Sequence, residues 1–454
     1  MFISYFYLHF LLGTFMQKNI VIVGGGAGGL ELATSLGNKL GKQAKVTLID
    51  RNATHLWKPL LHEVATGTLD VGTDAVSYRA QAYQNHFHFE QGTITRLDRT
   101  NKYVELAPMT NQEGELIVLA RRIPYDYLVI AIGSKSNDFN TKGVAEHCIF
   151  LDNAEQAQRF QNKMLSLFLR FSENRVLDDI GEESQKQPLV EEGKINIAIV
   201  GAGATGVELT AELYSATKYL SHYGYGDIDT SCLQVTLIEA GNRLLPALPE
   251  KVSNAVYEEL EQLGVKIKLN TMIVEATAQG LVTKSGEVIA ADLMVWAAGV
   301  RVSKVTQQFD GLALNRNNQI EIKPTLQSTV DESIFAIGDC AFLMQENGTP
   351  VPPRAQAAHQ MAKVCAKNVV AIFQHKPLRD FHYNDKGSLV SLSKFTTVGA
   401  LFDNKMMIEG LFARLAYLSL YRMHQHALFG CIKTGLMILI GRINRILKPM
   451  LKLH

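Results

Sequence analysis

With 454 residues, the chain is long enough to form two or three domains with substantial hydrophobic cores. A hydrophobic fraction of 47% and a charged fraction of 20% are ordinary for a globular protein, and a net charge of +1 argues against a nucleic-acid partner. The five cysteines include no C-x-x-C pair and no zinc-ligand spacing, which indicates a reduced, cytosolic chain without a metal site.

Residues 1–15 are apolar and aromatic, yet they lack the basic start and the small-residue cleavage site of a signal peptide. Met16 is a natural first residue because an apolar strand follows it at once. We therefore predict that residues 1–15 are an extension outside the native protein. The alternative is a short additional membrane contact.

A strand, a glycine turn and a helix are predicted in residues 18–33. Gly24, Gly26 and Gly29 match G-x-G-x-x-G, in which the first glycine permits a tight turn, the second leaves room for a pyrophosphate and the third allows close helix packing. The next strand ends in Asp50, 21 residues after Gly29, where a carboxylate can accept both hydroxyls of an adenosine ribose. The pattern predicts a dinucleotide site rather than a turn without a ligand.

The stretch 55–63 is too polar at its ends for a core helix, and its aromatic, basic and histidine residues suit a pocket wall. The alternative is that Trp57 packs while Lys58, His62 and Glu63 are solvated. Further along, an apolar strand stops at Gly133 and completes the first nucleotide unit. Residues 151–194 then begin with helical spacing of apolar residues and turn acidic, which is typical of a helix followed by a surface linker.

A second fingerprint follows, with Gly201, Gly203 and Gly206 after an apolar strand and an acid, Glu239, at the end of the next strand. The polar excursion 221–230 accounts for the longer gap between glycine and acid. Two dinucleotides are implied. Because an acid at this place repels a 2′-phosphate, the second nucleotide is expected to be NADH rather than NADPH.

Two later apolar strands are predicted to end beside the two nucleotide sites. One stops at Gly299 and closes the second nucleotide unit, as Gly133 closes the first. The other runs into Gly338 and Asp339 and places a carboxylate at its tip. A helix-capping aspartate is the alternative for Asp339.

Pro352 and Pro353 precede a predicted helix on which Gln356 and Gln360, four residues apart, share one face. Two amides among alanines can donate hydrogen bonds to a carbonyl and leave room for a flat ring. From the residues alone, surface glutamines are the simpler interpretation.

The last 44 residues contain no acid and seven basic residues. Apolar side chains recur every three or four residues, at Phe429, Ile432, Leu436, Ile440, Ile443 and Leu447, with cations off that stripe. The longest unbroken apolar run, residues 436–440, is far shorter than a bilayer crossing. We therefore expect an interfacial amphipathic helix, drawn to anionic lipid, with a dimer interface as a compatible alternative.

Several of these segments together resemble one enzyme family. The sequence Ala-Gln-Ala-Ala-His-Gln at residues 355–360 is similar to the quinone-site motif of type II NADH:quinone oxidoreductases, the single-chain respiratory NADH dehydrogenases that do not pump protons. Residues 55–67, 203–209, 295–299 and 419–424 also resemble the bacterial form of this family, and the likeness runs from about Met16 to His454.

The resemblance implies an α/β fold with two Rossmann-like domains of the glutathione-reductase type, the NADH domain inserted in the FAD domain, and C-terminal membrane-associating amphipathic helices. The first fingerprint would take noncovalent FAD, with Gly338 and Asp339 on its ribityl and phosphate, and the second would take NADH. Gln356 and Gln360 would bind the quinone. Glu208, placed by the sequence in the first turn of the second fingerprint helix, would lie between the sites of the two substrates, to orient NADH or pass a proton. An acid that complements the helix dipole is the alternative for Glu208.

We accordingly expect hydride transfer from NADH to FAD and then two electrons to ubiquinone or menaquinone, at the cytoplasmic face of the bacterial inner membrane, by a peripheral homodimer. The predicted divisions are an extension (1–15), a first FAD segment (16–150), a helix with acidic linker (151–194), the NADH domain (195–319), a second FAD segment with the quinone-site helix (320–385) and a membrane-anchoring region (386–454). The rivals are a sulfide:quinone oxidoreductase, which needs reactive cysteines, and a flavin- and NADH-binding redox sensor at the membrane.

Overall fold

The computed structural model describes residues 17–111, 113–179, 193–223, 228–392, 396–401, 406–447 and 451. The chain divides into two units. The first unit takes in the chain up to His55, Val76–Gly133 and Val302–Tyr383. The second takes in Leu56–Ala75, Ser134–Arg301 and the chain from Asn384 onward. The predicted extension 1–15 and residues 180–192 of the predicted linker lie outside the described residues, as do residues 224–227 of the polar excursion.

A five-stranded parallel sheet organises the first unit. Its strands, in spatial order, are Ile334–Ala336, Tyr127–Ile130, Lys18–Val23, Ala44–Asp50 and His88–Gln91. The strand Ile334–Ala336 pairs with Tyr127–Ile130 although about 200 residues separate them in sequence, so the second fingerprint is inserted between two parts of one sheet. Near-continuous apolar runs form these strands because both faces of the sheet are covered.

The other elements of the first unit surround this sheet. Its helices are Ala27–Leu40, Tyr78–Gln84 and Ala355–Phe373, of which the first and third pack against each other. An antiparallel sheet contains Arg121–Pro124, Tyr103–Leu106 and Ile94–Asp98, and short pairs join Thr54–His55 to Val76–Ser77, Met109–Thr110 to Leu116–Val118, and Ile320–Glu321 to Ala341–Phe342.

The second unit repeats the arrangement with four parallel strands. In spatial order they are Lys266–Lys268, Leu233–Ile238, Ile195–Val200 and Leu293–Trp296. Antiparallel partners complete the unit in three groups: Ile273–Thr277, Gly280–Thr283 and Val288–Ala290; Gly387–Leu392, Thr396–Leu401 and Met406–Glu409; and the pair Lys135–Ser136 with Val300–Arg301. Its helices are Leu61–Ala65, Val71–Asp74, Val144–His147, Ala154–Asp179, Ala204–Leu220, Glu250–Gln262 and Gly410–Leu447.

The helix Ala154–Asp179 confirms the apolar spacing seen in the sequence. Phe160, Met164 and Phe168 on this helix are almost fully buried in the core of the second unit. The helix is therefore part of the second unit and contributes to its hydrophobic core.

The C-terminal helix, Gly410–Leu447, departs from the expectation that no helix is long enough to cross a bilayer. Its residues Gly410–Asn444 have the length and composition of a membrane-crossing helix, and little of that segment is buried. The sequence prediction considered only unbroken apolar runs. Because the cations along this helix are widely spaced, the whole segment is apolar on average although each unbroken run is short. Gly430 interrupts the helix with φ 74° and ψ 178°, so it consists of two segments joined at a kink.

Candidate functional site

The first fingerprint forms a tight strand-to-helix turn in the first unit. Gly24 has φ +107°, and a Cβ at this position would lie 2.3 Å from the Ala131 carbonyl oxygen. A Cβ on Gly29 would lie 1.8 Å from the Gly24 carbonyl oxygen. Both positions therefore exclude any side chain, since atoms cannot approach so closely.

Gly26 differs from these two glycines because a Cβ there would meet nothing within 4 Å. It caps the helix Ala27–Leu40 at the end where backbone N–H groups have no partner within the helix. Open space before a helix N-terminus suits a pyrophosphate. The residues present therefore fit a dinucleotide at this place.

Asp50 ties the first turn to the following strand. Its Oδ2 accepts a hydrogen bond from the Gly25 N–H at 2.7 Å, and its Oδ1 accepts one from the Asn52 N–H at 2.8 Å. Burial raises the pKa of this carboxyl, and the two backbone donors oppose that rise. The acid predicted for the ribose thus lies beside the glycine turn.

Two buried side chains hold the same turn: Tyr78, which the sequence interpretation missed, and His55, which begins the stretch predicted as a pocket wall. The Tyr78 hydroxyl donates to the Gly25 carbonyl oxygen at 2.7 Å, and His55 Nδ1 lies 3.0 Å from the same oxygen. Tyr78 is separated from Gly25 by 53 residues, and no fingerprint marks it. Only the pairing of the strands Thr54–His55 and Val76–Ser77 brings both side chains to the turn.

The remaining residues predicted for the first site lie at strand ends in the same unit. Gly133 follows the strand Tyr127–Ile130 with φ +66°, and Gly338 follows Ile334–Ala336 with φ +73°. Asp339 is half-buried in the short turn Gly338–Cys340, where its carbonyl oxygen accepts a hydrogen bond from Gln319. The carboxyl ends of neighbouring parallel strands carry all of these residues, which is where open α/β sheets bind ligands.

The second fingerprint reproduces this geometry in the second unit. Gly201 has φ +102°, and a Cβ on Gly206 would lie 2.0 Å from the Gly201 carbonyl oxygen. A Cβ on Gly203 would meet nothing within 4 Å. Glu239 accepts hydrogen bonds from the Ala202 N–H at 2.9 Å and the Gly241 N–H at 2.8 Å, as Asp50 does in the first site.

Gly299 closes the second site with φ +63°. A Cβ on Gly299 would lie 2.6 Å from the ring of Phe139, and the Gly299 carbonyl accepts a hydrogen bond from the Asn137 N–H. Trp296, at the end of the preceding strand, donates its indole N–H to the Asn137 carbonyl at 2.8 Å. These contacts with Asn137 and Phe139 therefore hold the carboxyl end of the strand Leu293–Trp296 in place.

Glu208 is buried in the second unit and lies in the second turn of the helix Ala204–Leu220, not in the first turn as predicted. Its Oε1 accepts a hydrogen bond from the Ser391 N–H at 3.1 Å, and its Oε2 lies 3.6 Å from His62 Nδ1. Burial raises the pKa of this carboxyl to about 8. A solvated acid that complements the helix dipole does not have these surroundings.

The alternative interpretation of the stretch 55–63 is correct for Trp57, which packs, and for Lys58, which is exposed, but it is wrong for His62. The stretch ends in the short helix Leu61–Ala65, most of whose residues are buried. His62 is 4% exposed and therefore not solvated, whereas Lys58 is exposed and bonds to the Ser134 carbonyl. Trp57 packs on His424 with ring centroids 4.3 Å apart.

The helix Ala355–Phe373 carries Gln356 and Gln360, both half-buried, in the first unit. His359, between them, is buried, and its Nδ1 lies 2.5 Å from Oε2 of Glu31 on the first fingerprint helix. The Ala358 carbonyl oxygen lies 3.1 Å from the Cβ position of Gly28 on that same helix. The two helices are thus joined by close backbone packing and by one buried pair.

Comparison with known proteins defines the class to which this fold and these two sites belong. The family model of pyridine nucleotide-disulphide oxidoreductases matches residues 18–362, which include both fingerprints. The chain is a member of that class of oxidoreductases.

Two curated relatives define the family within the class. The chain is 69% identical over 444 residues to a type II NADH:quinone oxidoreductase of Haemophilus influenzae, covering 96% of this chain and 100% of that protein. A type II NADH:quinone oxidoreductase of Staphylococcus aureus is 31% identical over 394 residues, covering 85% and 90%. The chain belongs to the type II NADH:quinone oxidoreductases.

Solved structures share the fold at lower sequence identity. NDH2 from Plasmodium falciparum in complex with NADH has a TM-score of 0.78 at 22% identity, covering 96% of this chain and 100% of that one. The sulfide:quinone oxidoreductase of Aquifex aeolicus has a TM-score of 0.67 at 18% identity, covering 91% and 92%. At these identities the comparison supports the architecture alone.

Proposed function

We propose that the first fingerprint binds FAD noncovalently, that the second binds NADH, and that two electrons pass from NADH through the flavin to ubiquinone or menaquinone. The observation that carries this proposal is the duplication itself. Each unit has a glycine with an open Cβ position before a helix N-terminus, namely Gly26 and Gly203, and a carboxylate bonded to the same turn, namely Asp50 and Glu239. Two sites of one design suit two dinucleotides.

The side chains and backbone of this chain bind and orient the nucleotides, while the flavin supplies the hydride and electron chemistry when it is bound. Gly24, Gly26, Gly29 and Asp50 would hold the pyrophosphate and ribose of FAD. At the neighbouring strand ends, Gly133, Gly338 and Asp339 would hold the remainder.

NADH is the preferred nucleotide of the second site in this proposal. Gly201, Gly203 and Gly206 would cradle its pyrophosphate, and Gly299 would close the site. The Glu239 carboxylate accepts two backbone hydrogen bonds, which fixes its orientation. A fixed carboxylate accepts hydrogen bonds from ribose hydroxyls and repels a 2′-phosphate.

Gln356 and Gln360 would bind the quinone carbonyl. They lie one helical turn apart, on the helix whose buried neighbour His359 is paired with Glu31. That pair joins the helix to the first fingerprint helix, which supports a fixed position of the helix face that carries both glutamines. Glu208 would give up a proton when the quinone is reduced.

The cysteines argue against a sulfide:quinone reaction. Burial raises the pKa of Cys148 and of Cys340 to about 12, and it raises the pKa of the buried Cys365 thiol as well. A buried thiol with a raised pKa is a poor nucleophile, because the thiolate is the reactive form.

Attachment to the membrane would be peripheral, at the cytoplasmic face of a bacterial inner membrane, through the C-terminal helix of a homodimer. The kink at Gly430 and the burial of His424 and Gln425 support a helix that lies along its own unit. Large apolar side chains project outward from the same helix, including Phe412 and Ile432. This combination suits the headgroup region of a bilayer.

The glutamines provide the test of the quinone site. In the double variant Gln356→Ala/Gln360→Ala, reduction of the flavin by NADH should keep its rate, while reoxidation by a short-chain ubiquinone should slow by about tenfold or more, since two hydrogen bonds to the carbonyl are lost. Anaerobic stopped-flow absorbance separates the two steps. The variant Gln374→Ala, at the end of the same helix, is the control. Unchanged reoxidation in the double variant would remove the assignment.

A further inference from the structure

We propose that His62 returns a proton to Glu208 after each quinone reduction, so that the two side chains form a buried proton relay. This inference rests on the proposed role of Glu208 as the group that gives up a proton. It adds a residue, His62, that none of the motifs assigns to the reaction. His62 acts through Glu208 and has no contact with a substrate in this proposal.

The geometry of the relay comes from two elements of the second unit. Glu208 and Glu212 lie four residues apart on the helix Ala204–Leu220 and therefore share a face. His62 lies on the short helix Leu61–Ala65, which packs against that face, with its Nδ1 3.6 Å from Glu208 Oε2. Burial lowers the pKa of the His62 ring, and the nearby Glu212 opposes that change. One imidazole thus faces two carboxyl groups.

All three side chains are buried, with exposed fractions of 4% for His62, 6% for Glu208 and 8% for Glu212. Removing an ionised carboxylate or an imidazolium from water is costly, so burial favours the neutral forms of Glu208 and His62. Burial accordingly lowers the pKa of His62 and raises that of Glu208. In this state Glu208 carries the proton and His62 has a nitrogen that can accept and pass on another.

The other groups that face Glu208 come from three neighbouring elements. The Ser391 N–H donates to Oε1, which leaves Oε2 on the side of His62. Glu63, beside His62, adds negative charge that favours the protonated carboxyl. The buried hydroxyl of Tyr417, from the C-terminal helix, faces the same carboxyl.

The reaction consumes one proton in each turnover, which the proposed relay would supply. NADH, a quinone and one proton give NAD⁺ and quinol, so each turnover consumes one proton besides the hydride. In the proposed step the Glu208 O–H bond breaks and a quinol O–H bond forms, with both electrons supplied by NADH. Neutral His62 then takes up a proton from the solvent and passes a proton to the Glu208 carboxylate, which returns both side chains to their starting state.

The relay is tested with His62→Asn, and with His62→Gln as a second variant of different size. Enzyme first reduced with one equivalent of NADH is mixed anaerobically with a short-chain ubiquinone, and steady-state turnover is then measured with excess NADH. Because Glu208 is already protonated, the first reoxidation should stay within about twofold of wild type, whereas steady-state turnover should fall by about tenfold or more. The deficit should shrink at lower pH, where water protonates Glu208 more readily.

His222→Asn, an exposed histidine of the same unit, is the matched control and should change neither rate. A structural role for His62 predicts that both rates fall together, and that outcome would overturn the relay, as would an unchanged steady state. Glu208→Gln separates the two proposals. If its first reoxidation is unchanged, Glu208 gives up no proton and both proposals fail; if only that variant is impaired, the relay alone fails.

Discussion

At the scale of single residues, two glutamates of the second unit have the same side chain but different environments, and these environments suit different functions. Glu239 accepts two backbone N–H bonds at the end of a strand, which holds its carboxylate in one orientation. Glu208 accepts one backbone N–H bond and is otherwise enclosed, so burial raises its pKa to about 8. The first suits recognition of a ribose, and the second suits transfer of a proton near neutral pH.

The raised pKa of Glu208 predicts the pH dependence of quinone reduction. Because the carboxyl holds its proton below about pH 8 and loses it above, reoxidation of the flavin by quinone should slow as the pH rises through about 8. In Glu208→Gln the same step should be slow and nearly independent of pH. Stopped-flow reoxidation between about pH 6 and 9 measures both enzymes. A wild-type rate that rises with pH would contradict this role.

At the scale of elements, each of the two glycine turns contains one glycine that close packing requires and one that leaves room for a ligand. Gly206 packs against the Gly201 carbonyl, whereas the Cβ position of Gly203 faces open space. The same division holds between Gly29 and Gly26 in the first unit. The two kinds of glycine should therefore respond differently to the same substitution.

In Gly203→Ala, the free energy of unfolding should change by no more than about 0.5 kcal/mol, because the new methyl group meets no atom. The Kd for NADH should nevertheless rise about tenfold or more, since the methyl group would occupy the place of the pyrophosphate. Gly206→Ala is the matched change and should lower the stability by about 1–3 kcal/mol or more through overpacking. Denaturant unfolding and NADH titration measure the two effects. Normal NADH affinity in Gly203→Ala would contradict the assignment.

Features that depend on residues close together in the sequence could be predicted, whereas contacts between residues far apart in the sequence could not. The glycine turns, their acids and the helix with Gln356 and Gln360 depend on short spacings, and the sequence located each of them. The contacts of Tyr78 with Gly25, His359 with Glu31 and His62 with Glu208 join residues 53, 328 and 146 positions apart, so no local pattern records them. The burial of His62 likewise depends on the packing of its short helix against the helix Ala204–Leu220, which is distant in sequence.

At the scale of the whole molecule, the C-terminal helix combines an inner face that packs on the second unit with an outer face of exposed apolar residues. Ala413 and Leu428 are buried, whereas Phe412 is 79% exposed and Ile432 81% exposed. Exposed apolar groups on a basic helix favour a lipid surface, both by burial of apolar area and by attraction to anionic headgroups. The sequence predicted a C-terminal helix that could associate with a membrane, but not the kink at Gly430.

Membrane attachment can be measured separately from catalysis. In Phe412→Ser/Ile432→Ser, binding to vesicles that contain anionic lipid should fall by about tenfold or more, because each side chain contributes about 1.5–3 kcal/mol on burial. Reduction of the flavin by NADH in detergent should remain normal. Leu119→Ser, which removes a leucine that is 72% exposed in the first unit, is the control. Equal vesicle binding by the double variant and wild type would contradict attachment through this helix.

The most direct measurement of the central claim is anaerobic stopped-flow mixing of the purified protein with NADH, followed by a short-chain ubiquinone, with flavin absorbance as the signal. Two dinucleotide sites and a quinone site in one chain predict rapid bleaching by NADH and then rapid reoxidation by the quinone, in both cases fast enough to support steady-state turnover. Bleaching without reoxidation by quinone would contradict the account, because the electrons would then have to leave through another acceptor.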